Sequence, residues 1–288
     1  MDCRLINYSF PIVLYVTWRK DEQGDGEESW GYSPVNFWLE GGLYRFGAYA
    51  PKLGITPTFD YATNEMTFSK FEATDGKTDL LVAAANKDGI SGADHPMVSF
   101  AFRHALSKVR FTFIDGWRND VKLVISNIQL INVISTGTLV TPADLQEGTS
   151  VQTKDWTIGT TTANYTDEGA TLTQLNTKHL FDNFVIPQEI PEAKEGSQNL
   201  ALVFTAVVSN PNGTEIAKKE NITVPVSIGK GVTEWLPGNA YNYTLTISGK
   251  TFGLNPIQFD NITVEKWYET NNSQDITDGV TNIVTPKP

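Results

Sequence analysis

Cysteine, histidine and basic residues are scarce in this chain of 288 residues. A single cysteine, Cys3, excludes an internal disulfide and a multi-cysteine zinc site. The 33 acidic residues outnumber the 22 basic ones, and the net charge of −11 argues against binding to nucleic acid or to an anionic membrane surface. No stretch approaches the ~20 apolar residues of a transmembrane helix. The cores of this protein must therefore rest on packing alone.

The sequence also lacks the signatures of common catalytic and cofactor sites. Its three histidines, His95, His104 and His179, form no H-E-x-x-H pair and no other close ligand spacing. There is no G-x-S-x-G nucleophile elbow, and "SIGKGVT" lacks the spacing of a phosphate-binding loop. We therefore expect no catalysis, no cofactor and no metal site. A carboxylate pair of a glycoside hydrolase stays open, because two such groups meet only in three dimensions.

What the chain has instead is a succession of short β-type segments. They are rich in Val, Ile, Thr and aromatic residues and are separated by Gly, Asn, Asp and Pro. Examples are "PIVLYVTW", "LYRFGAYA", "MVSFAFRH", "KVRFTF", "VKLVISNIQLINVIS", "NLALVFTAVVS", "NITVPVSIG", "AYNYTLTIS" and "IQFDNITVEKW". This pattern predicts an all-β sandwich or barrel fold. The best helix candidate is "DLLVAAANKDG", residues 79–89.

The length of the chain predicts two domains. The polar segment at residues 141–155 suits a connection, so we place one β-sandwich at residues 1–145 and a second, with a polar tail, at residues 146–288. "WLEGGLYRF" from Trp38 and "WLPGNAYNY" from Trp235 share the pattern W-L-x-G-x-x-Y-x-aromatic. Either two similar sandwiches stand in tandem, or two turn–strand units resemble each other by coincidence.

The stretch "SFAFRHALSKVRFTF", residues 99–113, changes the side on which its apolar residues fall. Phe102 and His104 share one parity, whereas Val109 and Phe111 share the other. Because side chains alternate along a strand, the chain must bulge or bend near Ser107. His104 is then expected to have a structural role at this switch, so its replacement by alanine should lower stability by about 1–3 kcal/mol.

Several of these segments together resemble the fimbrillin-like family of Bacteroidetes, which comprises pilins and fimbrial tip subunits. The resemblance rests on "F-x-H-A-L-S-K-V" around His104, on "YRFGAYAP" and "DLLVAA" before it, and on "VISNIQLINV", "VTEWLPGNAYNYTLTI" and "IQFDNITVEKW" after it. It covers residues 30–268. The turn of Trp235, Pro237 and Gly238 is part of the matching pattern.

The resemblance implies two tandem transthyretin-like Greek-key β-sandwiches and export as a lipoprotein to the outer membrane. It also implies assembly with other subunits into cell-surface fimbriae by β-strand exchange. Cys3 follows Met1 and Asp2, which is no lipobox, so a lipid anchor depends on the native leader. The segment "FPIVLYV" is typical of a strand rather than of a signal peptide.

Strand exchange in this family begins with cleavage after an arginine, and Arg19 is the matching candidate here. It precedes the acidic run "KDEQGDGEES", which is typical of an exposed loop and lacks the ligand spacing of a calcium loop. The donor strand is expected in the tail at residues 269–288, where Ile276, Val280 and Val284 would share one face. A disordered end is the alternative for this polar tail.

A carbohydrate-binding β-sandwich is the alternative function, since exposed aromatic rings stack on sugars. Trp117, in the polar turn "IDGWRND", is the candidate for an exposed contact with a surface glycan or protein. A glycoside hydrolase is a weaker alternative. Shaft, anchor and tip subunits are not distinguished by the sequence.

Overall fold

The computed structural model describes residues 3–8, 11–19, 29–33, 41–88, 98–117, 121–143, 145, 149–172, 178–192, 199–226, 232–252 and 259–267, the first three ranges by their backbone alone. These ranges consist mainly of β-strands, with two short 3-10 turns, Thr153–Asp155 and Gly249–Phe252. None of them contains a helix long and apolar enough to cross a membrane. The all-β prediction is confirmed.

The described residues form twenty strands. The first ten are β1 Cys3–Tyr8, β2 Pro11–Arg19, β3 Ser29–Ser33, β4 Leu43–Ala50, β5 Thr58–Asp60, β6 Glu65–Glu72, β7 Leu81–Asp88, β8 Arg103–His104, β9 Ser107–Asp115 and β10 Lys122–Ile134. The others are β11 Thr136–Val140, β12 Trp156–Ile158, β13 Thr162–Leu172, β14 Lys178–Val185, β15 Gln188–Glu189, β16 Ala201–Ser209, β17 Glu215–Pro225, β18 Glu234–Trp235, β19 Asn239–Ile247 and β20 Asn261–Lys266.

Two sheets enclose one apolar core and form what we call the first sandwich. One sheet has the strand order β3-β2-β1-β4-β7-β8, and the other has the order β12-β11-β6-β5. Tyr49 and Val82 enter the core from the first sheet, and Phe68 and Leu139 enter it from the second. All four side chains are fully buried.

Two further sheets enclose a separate core and form the second sandwich. Their strand orders are β14-β9-β19-β20 and β13-β10-β16-β17. Phe111 and Tyr243 enter this core from one sheet, and Leu130 and Phe204 enter it from the other. The short strands β15 and β18 pair with each other in a separate two-stranded sheet. The Greek-key connectivity of the two sandwiches stays a prediction.

The chain passes between the sandwiches three times within the described residues. It leaves β8 for β9, returns from β10 to β11, and leaves again from β12 to β13. Strands β9 and β10 precede residue 145 but pair with β14, β19, β13 and β16, which follow it. The division into residues 1–145 and 146–288 stays a prediction. Any domain boundary must allow for the fact that β9 and β10 precede residue 145 but belong to the second sandwich.

Two predictions about segments are wrong. Most of the helix candidate at residues 79–89 is strand β7, which pairs with β4 from Leu81 to Asp88. Its alanines favour a helix locally, but pairing with a buried strand outweighs that preference. The proposed connection at residues 141–155 lies between β11 and β12, which pair with each other in the first sandwich.

Candidate assembly strands and the junction between the sandwiches

The N-terminal strands lie at one end of the strand order of the first sheet. β1 pairs with β2 on one side and with β4 on the other, and β2 pairs in turn with β3. Arg19 is the last residue of β2 and lies opposite Ser29. A cut after Arg19 would therefore separate both β1 and β2 from the rest of the chain. It would leave β4 as the edge of a sheet that still contains β7.

β4 is the strand that such a cut would uncover, and it is buried on both faces. Ala48 and Tyr49 have no exposed surface, and Ala50 is 2% exposed. β4 pairs with β7 along its whole length, from Leu43 to Ala50. It pairs with β1 at three positions, where Tyr49, Ala48 and Gly47 face Arg4, Leu5 and Ile6. The attachment to β7 would hold β4 in place without β1.

The proposed donor residues Ile276, Val280 and Val284 lie outside the described residues. The same holds for the acidic run after Arg19 and for His95. Cys3 is the first residue of β1 and lies opposite Val16 in the backbone ladder. Processing after Arg19 and strand donation by the tail stay predictions.

The turn predicted around Trp235 closes the start of β19. Trp235 is completely buried, and its indole N–H donates to the Tyr243 hydroxyl at 2.8 Å. The N–H of Leu236 donates to the hydroxyl of Tyr241 at 2.7 Å. Gly238 has a φ of +66°, a left-handed conformation that favours glycine. The turn therefore fixes Tyr241 and Tyr243, the two tyrosines of β19.

This turn lies against the bend that the sequence predicts near Ser107. Ser107 Oγ donates to the carbonyl of Leu236 at 2.8 Å, and Gly238 N–H donates to the carbonyl of Leu106 at 2.9 Å. The chain bends at Leu106, between β8 and β9. Leu106 belongs to the first core, whereas Val109 belongs to the second. The apolar residues change sides here because the chain crosses from one sandwich to the other.

His104 lies just before this crossing and contacts residues from distant parts of the chain. Its Nδ1 lies 2.7 Å from Oδ2 of Asp79. Its ring stacks on that of Trp267, with centroids 3.7 Å apart and an interplanar angle of 15°. Asp79 begins the "DLLVAA" segment and Trp267 follows β20, so three separate pieces of the family pattern meet at one point. Their spacing in the sequence does not predict this contact.

A loop of the first sandwich covers an edge of the second. The carbonyl of Ala73 accepts a hydrogen bond from the Tyr165 hydroxyl, and the carbonyl of Gly76 accepts one from Phe184 N–H at 2.8 Å. Burial raises the pKa of Tyr165, and the nearby charge of Asp75 adds to this shift. The hydroxyl therefore stays protonated and donates. Phe184 lies on β14, whose remaining edge is thereby partly covered.

The return crossing from β10 to β11 is fixed by one buried amide. Gln188 is 3% exposed. Its Oε1 accepts from Ile134 N–H at 3.2 Å, and its Nε2 donates to the carbonyls of Ile134 at 3.2 Å and Ile186 at 3.0 Å. Next to it, Ser135 N–H donates to the carbonyl of Thr161 at 2.9 Å. These bonds join two of the three crossings.

A charged cluster accompanies the junction on the outer face of the second sandwich. Arg110 binds Asp182 with both ends of its guanidinium, at 2.5 and 2.7 Å, and Lys108 Nζ lies 3.4 Å from the same carboxylate. Burial alone would raise the pKa of Asp182, but the hydrogen bonds from Arg110 and the charges of both cations hold the pKa below its ordinary value. Two cations therefore share one carboxylate in this cluster.

Trp117, the candidate for an exposed contact, is half-buried. Its ring packs against Phe252 in a T-shaped arrangement at 6.1 Å and adjoins the second core. Its backbone N–H donates to Asp115, a carboxylate whose pKa is raised by burial. The indole nitrogen is buried and has no hydrogen-bond partner among the described residues. A glycan contact at Trp117 stays a prediction, and this packing leaves little of the ring for stacking.

Each of the two histidines in the described ranges pairs with one aspartate. His179 Nε2 lies 2.7 Å from Asp167 Oδ1, in the same kind of pair as His104 and Asp79. Within these ranges, no group of three or more His, Cys, Asp or Glu residues is placed to hold a metal ion. The arrangement can fix strands and crossings; it shows no set of groups arranged for a reaction.

Solved structures that are similar to this chain include proteins from Bacteroides species. A candidate cell adhesion protein from Bacteroides uniformis has a TM-score of 0.48 and 15% identity, with 93% of this chain and 91% of that chain covered. One from Bacteroides ovatus has a TM-score of 0.42 and 16% identity, with 90% and 88% covered. A candidate polysaccharide-binding protein from Bacteroides thetaiotaomicron has a TM-score of 0.31 and 12% identity, with 92% and 87% covered.

No curated protein sequence matches the chain. A family model described as fimbrillin-like matches residues 14–267, which include β4, the His104 crossing, the Trp235 turn and β20. Because this match spans most of the sequence, the chain belongs to the fimbrillin-like family.

Proposed function

We propose that this protein is a structural subunit of cell-surface fimbriae and that it assembles by β-strand exchange beside β4. The observation that carries the proposal is the position of β1. It is the only described strand beside β4 on that side, it belongs to the part of the chain that precedes Arg19, and it covers a strand that is buried on both faces. Membership of the fimbrillin-like family supports the same role.

Removal of residues 1–19 would leave β4 in an unfavourable state. The unpaired N–H and C=O groups of its free edge would seek a partner strand. The small buried residues Gly47, Ala48 and Ala50 would become more accessible to water. An incoming strand that pairs with β4 would restore both, as in other cases of β-strand addition. The proposed donor is the segment at residues 269–288 of the next subunit, with Ile276, Val280 and Val284 on one face.

The proposed location is the cell surface, within fimbriae attached to the outer membrane. A lipid anchor is part of the proposal only where the native leader carries a lipobox. The proposed role is structural and not enzymatic, because the matching family model is described as fimbrillin-like. Adhesion to a host or bacterial surface glycan or protein remains a separate prediction. Glycan-array binding, with a hydrolase screen on the same preparation, tests it.

Controlled cleavage of the purified chain tests the assembly proposal. Limited trypsin treatment should cut after Arg19 or Lys20 first, and the cut protein should form oligomers, measured by light scattering, and filaments, seen by electron microscopy. Deletion of residues 269–288 should abolish both. An Arg19→Gln, Lys20→Gln variant, treated in the same way, is the matched control and should remain monomeric.

Two results would contradict parts of the proposal. Cut protein that stays monomeric and folded under assembly conditions would remove the shaft role and leave an anchor or tip subunit. Oligomers that persist after deletion of residues 269–288 would show that the donor is another strand.

A further inference from the structure

Strand β20 is held at the edge of the second sandwich by few side chains. Five of its six residues are exposed, and Val264, on the core side of the ladder, is 47% exposed. Ile262 alone among them is half-buried against the core. β20 pairs with β19 and has no second neighbour among the strands that the structure describes. An edge strand with so little buried surface opens locally more easily than the core strands do.

The residue that follows β20 is anchored much more firmly than the strand itself. Trp267 N–H donates to the carbonyl of Gly238 at 2.7 Å. The indole stacks on His104 at 3.7 Å and on Phe184 at 5.2 Å, with interplanar angles of 15° and 10°. Lys108 Nζ lies 5.3 Å from the centre of the same ring, within the range of a cation–π contact.

These contacts join both sandwiches. Phe184 belongs to β14 of the second sandwich, whereas His104 belongs to β8, which pairs with β7 of the first. The His104 ring is oriented by Asp79, a residue that directly precedes the β7 region. Trp267, the residue after β20, therefore lies in contact with one ring from each sandwich.

We propose that Trp267 is a latch: its stacking between His104 and Phe184 keeps β20 paired, and loss of the His104 contact lets β20 detach locally. The first sandwich thereby controls the last described strand of the second. β8 lies in the same sheet as β1 and β4, so a change in that sheet can reach β20 through His104. The latch concerns the folded monomer and does not depend on subunit assembly.

Hydrogen exchange at single amides tests the latch. In a Trp267→Ala variant, the amides of Asn261–Lys266 should exchange about tenfold faster or more, while those of β10 and β16 change by less than about twofold. Val264→Ala, an exposed position on the same strand, is the matched control and should leave the β20 rates within about twofold of the wild type.

His104→Ala gives the more specific readout, and it also serves if Trp267→Ala does not fold. This change removes the first-sandwich side of the stack, so it should accelerate the β20 amides about three- to tenfold more than those of β10. In the double variant the β20 rates should stay within about twofold of Trp267→Ala alone, because both changes break one contact. Unchanged β20 rates in either folded single variant, or an equal acceleration of all strands, would overturn the latch.

Discussion

The pattern W-L-x-G-x-x-Y-x-aromatic begins one strand in each sandwich, and the two strands use it differently. Gly41 before β4 and Gly238 before β19 have nearly the same φ, +69° and +66°. The aromatic pair that follows Gly238, Tyr241 and Tyr243, enters the main core of the second sandwich. The pair after Gly41, Tyr44 and Phe46, instead forms a separate small cluster with Ala85, Val98 and Phe100. The local turn repeats, but the packing does not.

The neighbours of these two strands differ in the same way. β4 has β1, the first strand of the chain, beside it, and β4 is buried on both faces. β19 has β20, the last described strand, beside it, and its outward residues, such as Asn242 and Thr244, are polar and half-buried. Loss of β1 therefore uncovers an apolar strand that requires a replacement, whereas loss of β20 uncovers a strand that water can cover on one face. The comparison favours β4 as the acceptor of an exchanged strand.

Gly47→Thr is expected to have the largest effect among the changes that test this comparison. Gly47 corresponds in the pattern to Thr244 of β19. A Cβ at Gly47 would lie 2.6 Å from Sδ and 2.8 Å from Cγ of the fully buried Met66. The resulting overpacking should cost about 2–3 kcal/mol in urea unfolding. The reverse change, Thr244→Gly, should cost only about 0.5–1 kcal/mol. Equal costs would show that β4 is no more tightly packed than β19.

Tyr243→Phe should have the next largest effect. It makes the second copy of the pattern like the first, where Phe46 occupies the same place. The buried indole N–H of Trp235 then loses its acceptor at 2.8 Å, which should cost about 1–3 kcal/mol. The thermal unfolding of Tyr243→Phe, compared with that of Tyr241→Phe, measures this stability cost. A Tyr243→Phe variant as stable as the wild type would mean that this hydrogen bond is not needed.

Gly41→Ala and Gly238→Ala should have smaller and similar effects. Both glycines have a left-handed backbone, and a Cβ at either would meet no atom closer than 3.8 Å. The cost is therefore that of the backbone conformation, about 1–2 kcal/mol for each. Chemical denaturation of the two variants compares them directly. A clear difference between the two would show that the turns are not equivalent.

Acid should weaken the second sandwich through Asp182, and this is the smallest effect. The pKa of Asp182 is lowered in the folded protein, so its contribution is present above the unfolded value of about 3.9 and is lost as the pH falls through the folded value. The stability difference between wild type and Asp182→Asn should therefore shrink below about pH 4. Replacement of Arg110 by Gln should reduce this stability difference as well. A difference independent of pH would contradict the assigned ion pair.

Strands with strong local patterns could be predicted from the sequence. The segments that became β2, β4, β9, β10, β16 and β19 are rich in β-branched and aromatic residues and need no distant partner to be recognised. The bend near Ser107 also follows from side-chain alternation alone. Among the described residues of "MVSFAFRH" only Arg103 and His104 form a strand, β8, while Val98 and Phe100 pack against side chains of β4 and β7.

The predictions that failed concern features that depend on contacts between distant segments. β7 resembles a helix until its pairing with β4 is known, and residues 141–155 resemble a linker until β11 and β12 are seen to pair. His104 contacts Asp79, which lies 25 residues earlier in the chain, and the local pattern around His104 does not indicate this partner. No spacing rule connects His104, Asp79 and Trp267, because a crossing between sandwiches brings them together.

Hydrogen exchange of β4 before and after assembly tests the central claim most directly. The β4 amides that point towards β1, within Gly47–Tyr49, should lose protection when residues 1–19 are released and regain it in the oligomer, while the amides bonded to β7 and those of β19 keep theirs throughout. Oligomers in which the β4 amides remain unprotected would contradict the account, because subunits would then join through a surface other than the edge of β4.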